Sequence, residues 1–280
     1  MTPAVNSAPT PVIGVKPDDL LRSPLLSAFP GLAHGITRRI PGLGVADGNI
    51  GYSGPRDKAD AWQMRIQWCR AAGIDPTTLV TVHQIHGAAV RVATAAEAGH
   101  GAQPGSDTLG QADAIISREP GVALMTIHAD CMPILLYDPE TPAIASIHAG
   151  WRGTTEDVAG ATVAAMQREF GSRPEQLRAF LGAAIGRCCY EVGDEVVSAW
   201  RDQAGDVADD ALEWSGTRWH LDLRTANQLL LLRAGLSEPL IDFTAICTRC
   251  EPDAWFSHRG QGPLTGRFGA LIALRLRERE

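Results

Sequence analysis

The sequence predicts an α/β protein, specifically a single-domain mixed α/β sandwich with helices packed on the sheet. Three observations support this. The chain has 280 residues, 45% of them hydrophobic, enough to bury one large core. Its centre holds four short, continuous apolar runs separated by turns, the pattern of strands buried on both faces. Capped helical segments flank those runs and supply the covering layer.

The elements follow in order. Residues 1–20 carry Pro3, Pro9, Pro11 and Pro17 and read as a flexible N-terminal arm, leaving 21–280 as the domain. The arm has no basic start and no apolar stretch, so no secretory leader is expected. Leu25–Arg39 reads as a short strand pair, and the Gly-, Asn- and Pro-rich residues 40–55 as a long loop. Lys58–Ala72 has helical spacing and stops at Gly73. Leu79–His83 and Ala88–Val92 read as strands, and 94–110 as a second long loop. Long loops in compact domains are often functional.

The central runs are Ala114–Ser117, Val122–Ile127, Ile134–Tyr137 and Ile144–Ile147. A helix is predicted over Thr154–Phe170, with Thr154 or Thr155 as its cap and Gly171 after its end. A strand at Leu177–Leu181 follows, then helices at Asp194–Asp202 and Asp222–Ala234. Strands at Phe243–Cys247 and Phe268–Leu276 close the chain. Neither GxGxxG nor GxxxxGK[ST] is present, which excludes the usual dinucleotide and P-loop sites. A net charge of −7 argues against general nucleic-acid binding. No run of 18 apolar residues predicts a membrane span, and the Cys spacing forms no disulfide framework. A cytoplasmic setting is therefore expected.

Three segments place a His or Cys where a predicted strand opens into a turn: Gln84-Ile85-His86-Gly87, His128-Ala129-Asp130-Cys131 and Ile147-His148-Ala149-Gly150-Trp151-Arg152-Gly153. Two imidazoles and one thiolate suit Zn²⁺, and three protein ligands leave a fourth position open for water. Each residue also has a plainer role, as a satisfied core His or a buried Cys acting as a small hydrophobe. Strand alternation turns His83 away from His86 and His128 away from Cys131. Cys247-Thr-Arg-Cys250 is a CxxC with no second CxxC or HxxxH to partner it, which leaves a separate structural zinc there as a minor alternative. Cys188 and Cys189 are read as structural or pocket-lining. The HxE…PCxxC deaminase pattern is absent.

The segments QIHG, the Asp113-Ala114-Ile115-Ile116 run, HADCMPILLYDP, IASIHAGWRGT, IGRCCYEVGDEV and CTRCEPDAWFSHR…TGRFGALI together resemble one family. It is called laccase-domain, polyphenol oxidase or multicopper polyphenol oxidoreductase, and also purine nucleoside phosphorylase. The resemblance runs from about His34 to the C-terminus. It implies a compact α/β fold and a catalytic zinc held by His86, Cys131 and His148. It also implies phosphorolysis of adenosine, inosine, guanosine and methylthioadenosine, with deamination of adenosine. Some relatives are described as peptidoglycan-precursor-editing amidases. The sequence departs from the family pattern at Arg187, where Pro is usual, at Gly260-Gln261-Gly262, and at Thr37–Gly42.

Phosphorolysis needs cations to hold phosphate. Arg38, Arg152, Arg259 and Arg267 lie in motif loops and are the candidates, although each could equally form a surface ion pair. Asp130 could orient the site or carry a proton, or simply cap a strand end. The expected partners are a small-molecule nucleoside and phosphate, with neither nucleic acid nor membrane. Two other chemistries compete. Cys131 could be a nucleophile with His148 as its base, in an amide hydrolase. A copper polyphenol oxidase would need a large array of further His, usually as HxH pairs; the chain has eight His and no HxH.

Overall fold

The four central apolar runs form strands that lie together at the heart of the protein. The structure, a computed structural model, describes residues 14–276; the first thirteen residues of the expected arm lie outside that range. Within it, Pro17–Asp19 form a 3-10 turn, and Leu20 is buried.

The elements are α1 (Pro24–Ser27), β1 (Leu32–Ile36), α2 (Lys58–Ala72), β2 (Leu79–Val80), β3 (Val90–Val92), β4 (Ala114–Ser117), β5 (Ala123–His128), β6 (Met132–Asp138) and β7 (Ala143–Ala149). After these come α3 (Trp151–Thr155), α4 (Val158–Phe170), β8 (Arg178–Leu181), β9 (Glu191–Val192), α5 (Asp194–Ala204), β10 (Leu212–Trp214), β11 (Trp219–Leu221), α6 (Leu223–Arg233), β12 (Ile241–Phe243), α7 (His258–Gln261) and β13 (Phe268–Leu274).

A six-stranded sheet runs β12-β8-β6-β7-β4-β3, a four-stranded sheet β1-β13-β5-β2, and a small sheet β10-β11-β9. Strand alternation sorts the large sheets into layers. Ile134, Leu136, Ala145 and Ile147 face Val163 and Met166 of α4, Trp200 of α5 and Leu230 of α6. Leu135, Ile144 and Ile115 face the other way, onto Leu124, Ala270 and Ile272 of the four-stranded sheet. That sheet's outer face, through Met125, Leu271 and Ala273, packs under Trp68 and Cys69 of α2. The expected mixed α/β sandwich is thus a helix–sheet–sheet–helix stack.

Several elements differ from the sequence expectation. Leu25–Arg39 is not a strand pair. Ser23 accepts a hydrogen bond from the Leu26 N–H and Pro24 opens the turn, so this stretch begins as a short helix and only β1 is a strand. The predicted 154–170 helix begins earlier and is split. Gly150 precedes α3, and Asp157, at φ 60°, caps α4 by accepting from the Gly160 N–H. Thr154, an expected cap, is buried and accepts from Asn227 Nδ2. The strand expected at 243–247 lies earlier, at β12, with Cys247 bridging Ala184 alone. The small sheet was not anticipated. No described helix is long and apolar enough to cross a membrane.

Candidate functional site

Strands β4 and β7 run antiparallel, with Ala114 opposite Ile147. This register sets Asp113 beside His148, both turned toward the space between the two large sheets. Asp113 is fully buried and its carboxylate is saturated. Oδ1 accepts from the His86 N–H at 3.0 Å and from His148 Nδ1 at 2.9 Å, and Oδ2 accepts from the Ile85 and Gly87 N–H groups at 3.1 and 2.8 Å. Three successive backbone donors around one carboxylate form an anion nest. The nest holds His86 at φ 62°, a left-handed conformation that needs such support outside Gly.

One carboxylate thereby fixes two of the three candidate ligands. The third, Cys131, follows Asp130, which sits at φ 88°. Asp130 accepts from Thr248 Oγ1 at 2.6 Å and from the Arg259 N–H at 2.7 Å. The donor atoms of His86, Cys131 and His148 all lie within 4.8 Å of one another. Gly150 permits this approach, because a Cβ there would stand 3.0 Å from Cys131 Sγ and 3.2 Å from His86 Cδ2. Gly153 likewise lets α3 pass the Gly87 carbonyl, which a Cβ would meet at 2.9 Å.

The charges are mutually arranged. Burial opposes ionisation of Cys131, but His148 and His86 outweigh it and bring the thiol to about 6. Burial would likewise keep His148 neutral, but Cys131 and Asp113 outweigh it and raise the imidazole to about 9. Burial also works against the Asp113 carboxylate, yet its hydrogen bonds from His148, Gly87 and His86 hold it below the ordinary range. The thiolate is therefore ready to ligate, and only the His148 Nε2 proton must leave for that atom to do so. A soft thiolate and two imidazoles, one of them oriented by a carboxylate, fit Zn²⁺.

His128 stays out of the cluster, as strand alternation predicts. Its Nε2 contacts Thr126 Oγ1 at 2.9 Å and its Nδ1 the Cys131 carbonyl at 3.2 Å, which assigns the proton to Nδ1. His83 differs from expectation. His83 forms only an isolated bridge to Gln111 and the chain bends at His86–Gly87, so strand alternation fails there, and His83 and His86 line the same cavity.

That cavity has a volume of 770 Å³ and reaches His86, Cys131 and His148. Both long loops contribute to it, through Tyr52 and Ser106 among others. Of the residues named from sequence, Asp130, Arg259 and Arg267 line it. Arg259 Nη1 donates to the Glu191 carbonyl and its guanidinium lies 5.3 Å from the Tyr190 ring. Arg267 Nη1 donates to the Thr265 and Gly266 carbonyls. Arg38 and Arg152 are not among the lining residues. Arg38 pairs with Asp19 at 3.0 Å, and Arg152 stacks 4.3 Å from the Trp151 ring.

Sequence reasoning missed Arg65, a buried residue of α2 that lines the cavity. It donates to the Ile50, Gly101 and Ala102 carbonyls and stacks 3.7 Å from the Tyr52 ring. It missed the role of Asp113, although the residue stands in one of the family-like segments. Arg187 lies on a turn away from the cavity and pairs with Glu213 at 2.9 Å. Gln261, at the other departure, braces its own loop by accepting from the Ser257 N–H.

Residues 33–275 match the multi-copper polyphenol oxidoreductase laccase family. The chain belongs to that family. A purine nucleoside phosphorylase, YlmD, from Geobacillus stearothermophilus is 33% identical over 253 residues, covering 88% of this chain and 92% of that protein. An adenosine deaminase, RL5, from an unknown prokaryotic organism is 33% identical over 232 residues, covering 80% and 88%. The crystal structure of YlmD from Geobacillus stearothermophilus superposes with a TM-score of 0.87 at 31% identity, over 95% of this chain and 99% of that one. Named relatives in this family are thus nucleoside-processing enzymes, and the His86–Cys131–His148 cluster of this chain could hold a metal.

Proposed function

We propose that the chain is a zinc-dependent purine nucleoside enzyme that phosphorolyses adenosine, inosine, guanosine and methylthioadenosine and deaminates adenosine in the cytoplasm. One observation carries this most. An oriented His86–Cys131–His148 cluster, with no fourth donor grouped with it among the described residues, opens into a cavity large enough for a nucleoside and phosphate, with Arg65, Arg259 and Arg267 on its wall. Its relatives named purine nucleoside phosphorylase and adenosine deaminase support the substrate class.

His86, Cys131 and His148 would hold the ion. When bound, zinc supplies Lewis acidity and activates water at neutral pH. Asp113 keeps the His148 proton on Nδ1, leaving Nε2 for the metal. In phosphorolysis a phosphate oxygen bonds to C1′ of the ribose while the C1′–N9 bond breaks, and the purine leaves with that electron pair and takes a proton. Among the described residues no carboxylate lies within ion-pair distance of Arg65, Arg259 or Arg267. Arg259 and Arg267 would hold phosphate by charge-assisted hydrogen bonds.

A second reading has its own support. Cys131, His148 and Asp113 form a Cys–His–Asp line with an acidified thiol, the arrangement of a thiol hydrolase acting on an amide. A metal on Cys131 occupies the attacking atom, so the two chemistries exclude each other. A copper polyphenol oxidase is disfavoured, because the described residues hold no second His cluster. The test is incubation with adenosine, with and without phosphate, before and after chelation. Ribose 1-phosphate plus adenine, or inosine, lost on chelation and restored by zinc, is expected. Turnover that survives chelation but is abolished by alkylation of Cys131 would establish the thiol mechanism instead.

A further inference from the structure

The structure brings together the two Cys pairs that the sequence leaves apart. Strands β8 and β12 run parallel, with Phe243 opposite Leu181, and the pairing continues as a bridge between Ala184 and Cys247. The two chains then turn side by side. The Cys189 N–H bonds the Gly186 carbonyl, and the Cys250 N–H bonds the Cys247 carbonyl. Across the gap the Gly186 N–H points at Cys247 Sγ, 3.2 Å away. The Sγ atoms of Cys188, Cys189, Cys247 and Cys250 consequently all lie within 4.8 Å of one another. We propose that these four cysteines form a second metal site, a closed tetrathiolate centre for Zn²⁺ that is separate from the cavity cluster.

The spacing fits a tetrahedron. A Zn–S bond of about 2.3 Å requires ligand sulfurs about 3.8 Å apart. The observed contacts are 3.8 Å between Cys188 and Cys189, 3.7 Å between Cys188 and Cys250, and 3.4 Å between Cys189 and Cys250. Disulfide sulfurs stand about 2.05 Å apart, and all four cysteines here are free thiols. Four soft sulfur donors with no oxygen or nitrogen ligand select zinc over harder ions, and a complete set of four leaves no position for substrate. The backbone N–H from Gly186 to sulfur is the outer hydrogen bond such a site uses. Each thiol gives up its proton on ligation, leaving a centre of net charge −2. Arg187 and Arg249, one on each turn, stand in sequence beside the cysteines, and Arg249 Nη1 bonds the Cys189 carbonyl.

The role is to fix one wall of the cavity. Thr248, between Cys247 and Cys250, donates to Asp130 next to Cys131. Tyr190, next to Cys189, lines the cavity. Tying the two turns together fixes both residues.

The assignment does not depend on the reaction proposed above, and the test separates the two. Cys131→Ala removes a ligand from the cavity cluster while leaving the four cysteines intact. Loaded with Zn²⁺ and freed of excess, it is expected to retain one equivalent per chain, falling to none when Cys250→Ser is added. Loaded with Co²⁺, it is expected to give the strong charge-transfer absorption of tetrahedral cobalt thiolate. The exposed thiols of Cys188 and Cys250 are expected to react with an alkylating reagent only after chelation. Cys131→Ala that retains no zinc overturns the proposal. So do exposed thiols alkylated equally fast with and without zinc in the otherwise unaltered chain, a measurement that needs no cysteine variant to fold.

Discussion

Asp113 shows how much of this site rests on one side chain. It offers no ligand to the cluster, yet it bonds four donors and sets both the backbone of His86 and the tautomer of His148. Asp113→Asn keeps the shape but replaces one acceptor oxygen with a donor facing an N–H. Zinc affinity is expected to fall by about 10–100-fold, read by competition against a chromophoric chelator; unchanged affinity would remove Asp113 from the site. The sequence displayed His86, Cys131 and His148 because each stands where a predicted strand meets a turn. A carboxylate that works by accepting backbone N–H groups has no such linear signature, which is why Asp113 went unassigned. His34 makes a residue-scale prediction away from the site. Its Nε2 accepts from the Ser23 N–H at 3.1 Å, so it is held neutral. Burial, with the nearby Arg22 charge, pushes it down to about 4. An unfolded His titrates near 6.5. Between those values the unfolded chain binds a proton that the folded one refuses, so stability falls as the pH drops from about 6.5 to about 4. The loss from this group is about 3 kcal/mol once complete. His34→Gln, which keeps an acceptor, is expected to flatten that part of the urea-midpoint profile.

Among the elements, those with both ends written locally were legible. α2 was bounded correctly, because Asp57 accepts from the Ala59 and Asp60 N–H groups and Gly73 ends the helix at φ 72°. The central strands were legible as continuous apolar runs. The break between α3 and α4 was not, because it depends on Asp157 taking a left-handed conformation inside an otherwise helical stretch. The two- and three-residue strands of the small sheet carry too little periodicity to be seen, and the parallel pairing that assembles the four cysteines is long-range. Asp157 caps α4 and also pairs with Arg233 at 3.2 Å. Asp157→Ala loses both contacts and keeps the left-handed strain, so a destabilisation of roughly 1–2 kcal/mol is expected; Asp157→Asn, which tolerates that conformation and can still cap, should lose less. Gly150 links β7 to α3 with an ordinary φ of −78°, so Ala is allowed by the backbone and only the packing objects. Gly150→Ala is expected to keep the thermal midpoint within a few degrees while lowering cavity-site zinc affinity. A variant that binds zinc normally would mean that Cys131 and His86 can move apart freely.

At the scale of the whole molecule, the chain carries a net charge of −7, yet its cavity gathers Arg65, Arg259 and Arg267, whose guanidinium groups have no ion-paired carboxylate among the described residues. The layered fold produces this separation. Arg65 comes from α2, over the outer face of the four-stranded sheet. Arg267 comes from the residue just before β13 in that sheet, and Arg259 from α7 beside Asp130. Their main-chain carbonyl partners fix the guanidinium groups without neutralising them. Burial, reinforced by Arg56 and only partly offset by Cys131 and Asp130, also presses Arg267 below its ordinary value, so an arriving anion relieves an existing cost. Sequence proximity to a motif could not separate these arginines from Arg38 and Arg152, because only the fold decides which loops share a cavity. If the site is a phosphorylase, the two groups must behave differently. Arg267→Gln deletes a charge-assisted contact of about 1.5–3 kcal/mol and is expected to raise the KM for phosphate by roughly 10–100-fold. Deamination, which takes water instead of phosphate, should suffer much less. Arg38→Gln, which breaks only the half-exposed pair with Asp19, should leave both activities within about twofold. Rising ionic strength should raise the phosphate KM of the unmodified enzyme and have less effect on Arg267→Gln, because screening acts on the charge that variant lacks. Equal effects of Arg267→Gln and Arg38→Gln on the phosphate KM would place the phosphate site outside the cavity.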